Sequence, residues 1–258
     1  TYYIKIQNDG NDTEKFTVTS TTLDPTRWTI SYYDEGGSPI VYGEITGAGW
    51  LTPEIAPAGG SITITLYVTP NEIPWAGESE DILITSVSAT GEGDAVKCVT
   101  TVKLHAQPDN LIKKEGDAVY QYGDDHDPTD QLYLPDPVTI SNNTTLTYYI
   151  WIENDGNANQ DFAVSGTGSA GGWTVSYYKS PYDPIADDIT TAVVSGTYQA
   201  TDLDPIPGVK EIIRVWVTAG ATLDGGDERT VVIQSIAPAS VATDTVKVRH
   251  QVDIAYKV

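Results

Sequence analysis

The chain has 258 residues, with 36 acidic against 14 basic side chains and a formal net charge of −22. Nucleic acid and anionic membranes attract clustered Lys and Arg, so this balance argues against both as partners. The single cysteine, Cys98, excludes an intrachain disulfide, and no apolar run approaches the roughly 20 residues of a membrane-spanning helix.

The first seven residues alternate in polarity. Tyr2, Ile4 and Ile6 would face one side and the intervening residues the other, which is typical of a half-buried strand. Asn-Asp-Gly follows at residues 8–10. These residue types tolerate positive φ, so we expect a tight turn that uses it.

Further short β patterns follow in the first half, each bounded by turn residues. They lie at 16–18, 28–33, 62–68, 82–84 and 96–104. No window predicts a helix, because Gly, Pro, Thr and Ser interrupt every candidate.

The second half repeats the first in order. Residues 147–157 nearly copy residues 1–11, and residues 244–247 match residues 94–97. The spacing between equivalent residues drifts only from 146 at the start of the repeat to 150 at its end, so insertions fall in loops. Short strands at near-regular spacing predict an all-β chain of two tandem immunoglobulin-like β-sandwich domains.

The predicted domains are residues 1–107 and 108–258. The second opens with a long leader segment, 108–146, which has no counterpart in the first half. Within it, residues 109–112 and 138–140 have the composition of leading strands.

The first domain is accordingly expected to lack its leading strand, which would leave an unpaired sheet edge beside residues 1–7. Thr1 begins inside a strand pattern, so we expect a processed or truncated chain. Alternation continues to Val258, which we expect at or near the end of the array.

Several motifs of the repeat resemble a known group. An aromatic strand ends in Asn-Asp-Gly-Asn, Gly-Trp-Thr-Val-Ser-Tyr-Tyr stands at 172–178, and Ile213, Val215 and Val217 form the next clear strand. The pattern resembles tandem immunoglobulin-like repeats of bacterial and archaeal surface proteins, including CARDB-like domains and those appended to secreted glycosidases. That resemblance implies an extracellular stalk, adhesin, filament or surface-layer role, and it supplies no catalytic residues.

The motifs that could indicate an enzyme lack the sequence context that their chemistry needs. Residues 166–171 match a dinucleotide fingerprint in letters, but a strand pattern follows where the motif needs a helix. The three histidines stand apart from one another and from Cys98, so a zinc site is not expected. We predict a non-enzyme without a resident cofactor.

Calcium is the one metal that the sequence suggests. Asp124, Asp125, Asp127 and Asp130 crowd one loop, and calcium takes six to eight oxygen ligands. The spacing does not match an EF-hand loop, and a solvated acidic loop is the alternative.

The outward faces of two predicted neighbouring strands carry aromatic side chains in both domains. The candidate interface residues are Tyr3, Tyr67, Tyr149, Trp151, Ile212, Trp216 and the loop residue Trp75. Three interpretations stay open: the leader covers the patch, another domain or subunit binds it, or glycans stack on it. Trp28, Trp173 and Cys98 are instead predicted to be buried.

These patterns favour a structural repeat module of an extracellular surface protein or filament. Its partners would be other copies or neighbouring repeats, one of which could donate a strand to the open edge of the first domain. A carbohydrate- or calcium-dependent binding and adhesion module is the alternative.

Overall fold

The computed structural model of the chain describes residues 1–71, 75–122, 131–180, 187–205, 209–238 and 240–253. Two compact units are present, Thr1–Leu104 (unit 1) and His105–Val258 (unit 2). Strands hold 56% of the residues and helices 4%, so the predicted all-β, immunoglobulin-like fold class is confirmed. In the part of the chain that the structure describes, no helix is long and apolar enough to cross a membrane.

Unit 1 is a sandwich of two four-stranded antiparallel sheets. Its elements are β1 (Tyr2–Asn8), β2 (Phe16–Ser20), β3 (Trp28–Tyr33), β4 (Pro39–Ile40), α1 (Tyr42–Ile45), β5 (Trp50–Leu51), β6 (Gly60–Pro70), β7 (Ser79–Ser88) and β8 (Gly93–Thr101). The sheet orders are β1-β6-β3-β4 and β5-β2-β7-β8. The inward residues of both sheets form one apolar core.

Unit 2 repeats this sandwich and adds three strands before it. The added strands are β9 (Pro108–Lys114), β10 (Gln131–Leu132) and β11 (Val138–Ile140). The repeated elements are β12 (Thr145–Asn154), β13 (Gln160–Gly166), β14 (Trp173–Lys179), α2 (Thr190–Ser195), β15 (Tyr198–Leu203), β16 (Lys210–Ala219), β17 (Glu228–Ala237) and β18 (Ala242–Val252). One sheet has the order β14-β16-β12-β9, and the other has β10-β18-β17-β13-β15 with β11 also on β18.

The two short helices correct the expectation of a chain without helix. Ile45 of α1 and Val193 of α2 are fully buried at equivalent points of the two units. A helix of only one or two turns needs only one apolar residue to face the core, so it leaves no periodic pattern in the sequence. Gly196 ends α2 at φ 72°, in the left-handed conformation that glycine adopts without strain.

The repeated Asn-Asp-Gly turn is also built differently from the prediction. Neither copy uses a positive φ. Asn8 is buried at the end of β1, where its Nδ2 donates to the carbonyl oxygens of Asp12 (2.8 Å) and Ile55 (2.9 Å). Its Oδ1 accepts from the Gly10 N–H at 3.0 Å. The equivalent Asn154 makes the same three kinds of bond, so the motif is a buried side-chain clasp.

Three buried positions confirm the predicted strand faces. Trp28 and Trp173 both lie in the cores, and Cys98 is buried on β8. Burial raises the pKa of the Cys98 thiol, which keeps it protonated and unreactive.

Candidate functional site

In unit 2, β9 closes one side of the sandwich. It pairs antiparallel with β12, with Ile112 opposite Ile150 and Asn110 opposite Ile152. On its other side, the backbone N–H of Asn110 donates to a carboxylate oxygen of Asp244 on β18, at 2.5 Å. One strand therefore bridges the edges of both sheets.

The rest of the leader covers the second edge. β10 and β11 both pair parallel with β18. Tyr133, Val138 and Ile140 are buried, and they belong to the same core cluster as the repeated strands. The predicted leading strands at 109–112 and 138–140 are thus confirmed, and they complete the core of unit 2.

The corresponding side of unit 1 is open in the part of the chain that the structure describes. There β1 pairs only with β6, and β8 pairs only with β7. A groove runs between the β1 and β8 edges, and the residues that line it include Ile4, Ile84, Ser86, Asp94 and Val96. Tyr2 spans it at one end, where its hydroxyl donates to the Val99 carbonyl at 2.6 Å.

The two units differ in the exposure of equivalent side chains along this side. Val96 on β8 is 44% exposed, whereas the equivalent Val246 on β18, which pairs with Gln131 of β10, is fully buried. Asp94 is exposed, whereas its equivalent Asp244 is buried. Val96 and Asp94 of unit 1 therefore lie open, whereas their equivalents in unit 2 are buried.

The predicted interface residues of unit 1 are all on its surface. Tyr3 is 74% exposed, Tyr67 45% and the loop residue Trp75 40%. Tyr3 and Tyr67 lie on the outer face of the β1-β6-β3-β4 sheet, where Tyr33 packs edge-on against Tyr67 with ring centroids 5.5 Å apart.

The equivalent face of unit 2 carries a packed cluster. Tyr120 of the leader lies on the Trp151 ring, with centroids 3.8 Å apart. The Lys210 ammonium stands 3.2 Å from the centroid of the same ring and pairs with Glu153. Desolvated cation–π contacts of this kind are worth roughly 2 kcal/mol. The leader therefore contacts the predicted aromatic patch at Trp151.

The remaining predicted residues extend this cluster along the sheet. Tyr149 accepts a hydrogen bond from Arg214 at 3.2 Å, and Lys113 of β9 stands 5.8 Å from its ring centroid. Trp216 packs against Tyr178 with centroids 4.8 Å apart, and Ile212 is half-buried opposite Trp151. Hence the patch in unit 2 combines aromatic rings with cations from the leader and from β16.

Two groups of acidic side chains bear on the calcium prediction. The predicted loop, with Asp124, Asp125, Asp127 and Asp130, lies outside the described residues. A different set, Asp109, Glu153 and Asp155, brings carboxylate oxygens within 4.8 Å of one another at the start of β9. Since Glu153 also pairs with Lys210, part of its charge is already compensated.

The rejected enzyme motifs have structural roles. Residues 166–171 run directly into strand β14, which confirms that no helix follows the glycine-rich stretch. His250 is buried, with its Nε2 3.0 Å from the Tyr148 hydroxyl. Burial lowers the pKa of His250 to about 4, so this histidine is neutral at physiological pH.

The polar group at Asn110 was not singled out by sequence reasoning. Asp94 and Asp244 are repeat equivalents. The repeat does not reveal that Asp244 accepts a hydrogen bond from Asn110, because the two residues are 134 positions apart in the chain. A buried Asn beside two sheet edges has no local sequence signature. The repeated Asp was the only available signal.

No family model and no curated protein matches the chain. Solved structures similar to it include S-layer protein SbsC domains 4 and 5, with 14% identity, a TM-score of 0.29, and coverage of 95% of this chain and 100% of that one. BcpA, the major pilin subunit of Bacillus cereus, shows 10% identity, a TM-score of 0.37, and coverage of 92% and 69%. The CupB6 tip adhesin from Pseudomonas aeruginosa shows 7% identity, a TM-score of 0.32, and coverage of 98% and 91%. At such low identities and TM-scores the likeness carries no argument about function.

Proposed function

We propose that the chain is a structural repeat module of an extracellular surface protein or filament, and that unit 1 is completed by a strand from a neighbouring repeat or subunit. The observation that carries this proposal is the contrast between the leader-covered side of unit 2 and the open side of unit 1. The role is mechanical and non-catalytic.

Two open edges favour strand addition over a side-chain interface. An unpaired edge presents a row of backbone N–H and C=O groups, which an added strand satisfies by main-chain hydrogen bonds. Here the β1 and β8 edges flank exposed apolar side chains such as Val96. An added strand would bury these side chains and pair the edges in one step.

The proposal is tested by adding a leading strand to unit 1 in the same polypeptide. A copy of residues 105–146 is joined ahead of Thr1. We expect the unfolding temperature of unit 1 to rise, and association with other copies in sedimentation experiments to disappear. Electron microscopy of the unaltered native material is expected to show a fibre or lattice.

The matched control carries Ile112→Asp in the added copy only. A charged side chain at this core position should prevent docking, so stability and association should return to those of the unaltered chain. If unit 1 is monomeric and equally stable with and without the added segment, strand completion is wrong.

A glycan-binding adhesion module is the second candidate, and the exposed Tyr3 and Tyr67 rings favour it. The corresponding face of unit 2 offers less, because the Trp151 ring already contacts Tyr120 and Lys210. Glycan-array binding that is lost on Tyr3→Ala and Tyr67→Ala substitution would support this function over the structural one.

A further inference from the structure

Asn110 of β9 is held by both strands of a neighbouring hairpin, β17–β18. Its backbone N–H donates to Asp244 Oδ2, and its Nδ2 donates to the Asp244 carbonyl oxygen at 2.8 Å. Its Oδ1 accepts from the Ser235 hydroxyl at 2.7 Å. All three residues are buried, so an apolar residue in place of Asn110 would leave buried polar groups unsatisfied.

Unit 1 contains a Ser–Asp pair equivalent to the pair that binds Asn110 in unit 2. Ser86 stands opposite Asp94 in the β7–β8 ladder, as Ser235 stands opposite Asp244 in the β17–β18 ladder. Asp94 Oδ1 accepts from the next backbone N–H, of Ala95, at 2.7 Å. Asp244 Oδ1 makes the same bond, at 2.8 Å, so the two carboxylates are held alike.

The surroundings of this pair also match. Ile6 of β1 stands where unit 2 has Ile152, the residue opposite Asn110, and Ile4 stands where unit 2 has Ile150, opposite Ile112. Ile4, Ile6, Ser86 and Asp94 all line the same groove. The position that Asn110 fills in unit 2 therefore corresponds to the groove between β1 and β8 in unit 1.

We propose that this groove binds an extended peptide segment with the chemistry of Pro108–Lys114, and that Ser86 and Asp94 select an asparagine in that segment. The inference rests on the proposed function and names the chemistry of the added strand. The donor is a leader-like segment of another repeat, because the leader at residues 108–146 is already seated in unit 2.

The charge of β9 also supports a leader-like peptide as the occupant of the groove. The chain is strongly acidic, but β9 ends in Lys113 and Lys114. In unit 2, Lys113 packs over the Tyr149 ring, and Tyr3 is the exposed equivalent of Tyr149 in unit 1. A donor with a leader-like sequence would place a cation over Tyr3 while its Asn reaches Asp94.

The test uses the full chain and two synthetic peptides. One peptide carries residues 106–116, and the other differs only by Asn110→Leu, which keeps the size but removes the amide. Affinity is measured by titration calorimetry, and the site is mapped by NMR shifts. We expect 1:1 binding of the first peptide with shifts along β1 and β8, and at least about tenfold weaker binding of the second.

Protein variants separate hydrogen bonding from charge. Asp94→Asn replaces an acceptor oxygen by an NH₂ group, and Ser86→Ala removes the hydroxyl donor; each should weaken binding of the native peptide. Glu92→Gln removes the same charge two residues away and should leave affinity unchanged. Because the peptide comparison leaves the protein unaltered, a folding defect in a variant does not obscure the result.

Equal affinity for both peptides would overturn asparagine selection and leave strand completion intact. Absence of binding, or shifts confined to the outer face around Tyr3 and Tyr67, would also overturn the inference. The strand-completion proposal itself stands or falls separately, on the stability and association of the chain with an added leader.

Discussion

Unit 1 and unit 2 share a strand order, two buried core tryptophans at equivalent positions, and a repeated Asn clasp, but they differ along one side. In unit 2 the leader pairs with β12 and β18, and the side chains beneath it are buried. In unit 1 the corresponding Val96 and Asp94 are exposed. The inward residues of the repeated strands therefore do not by themselves bury these positions, which the leader covers in unit 2.

The difference also reaches the outer sheet face. Tyr120 comes from the leader and stacks on Trp151, whose position is taken by the exposed Lys5 in unit 1. Trp151 and Tyr120 thus lie in contact within unit 2.

The largest expected effect comes from loosening the leader of unit 2. Ile112→Ala should lower the free energy of unfolding of unit 2 by about 2–5 kcal/mol, because Ile112 is fully buried opposite Ile150. Hydrogen exchange followed by mass spectrometry reports the stability of each unit separately. Protection in unit 1 should not change.

Val119→Ala is the matched control within the same segment. Val119 is largely exposed, so its truncation should change the stability of unit 2 by less than about 0.5 kcal/mol. Similar losses for both variants would mean that the leader does not contribute to the core of unit 2.

Unit 2 should also lose stability in mild acid through His250. This side chain is buried between the Tyr148 and Trp173 rings and near the Arg229 carbonyl, and burial lowers its pKa from 6.5 to about 4. Between these values the unfolded chain binds a proton that the folded chain does not. Stability should therefore fall as pH decreases from 6.5 to 4, by up to about 3 kcal/mol, and His250 should add no further loss below that range.

The residue at the equivalent place in unit 1 provides the comparison. Thr100 there contacts the Tyr2 hydroxyl at 2.8 Å, as His250 contacts Tyr148. His250→Thr should reduce the slope of unit 2 stability against pH, measured by denaturant unfolding at several pH values. His105→Gln, at an exposed position, is the control and should keep the slope. An unchanged slope in His250→Thr would contradict the assignment.

Much of the fold could be predicted because strands leave a pattern of polarity in short stretches of sequence. Alternating polarity predicted the strands, and two copies of the pattern fixed their order, including the leading strands near residues 109–112 and 138–140. The short helices could not be predicted, since each buries a single residue, Ile45 or Val193, and is too short for a helical period to show in the sequence. The clasp made by Asn8 was mistaken for a turn with positive φ, because Asn-Asp-Gly favours both structures.

The candidate site was less accessible to sequence reasoning. Outward aromatics follow from strand alternation, so Tyr3 and Trp151 could be placed on the correct face. That Tyr120 covers Trp151 depends on the path of the leader, which no local pattern encodes. The Asn110 group likewise joins three strands that are distant in sequence.

The smallest expected effect concerns one pair of equivalent carboxylates. Asp244→Ala removes the acceptor of the buried Asn110 N–H, so unit 2 should lose about 1–3 kcal/mol. Asp94→Ala in unit 1 removes an exposed carboxylate that accepts from Ala95, and it should leave the protection of unit 1 against hydrogen exchange nearly unchanged. When a leader copy is joined ahead of Thr1, Asp94 becomes the equivalent of a buried Asp244, and the same substitution should then become costly. If Asp94→Ala changes the stability of unit 1 equally with and without the added leader, the β1–β8 side of unit 1 is not equivalent to the leader-covered side of unit 2.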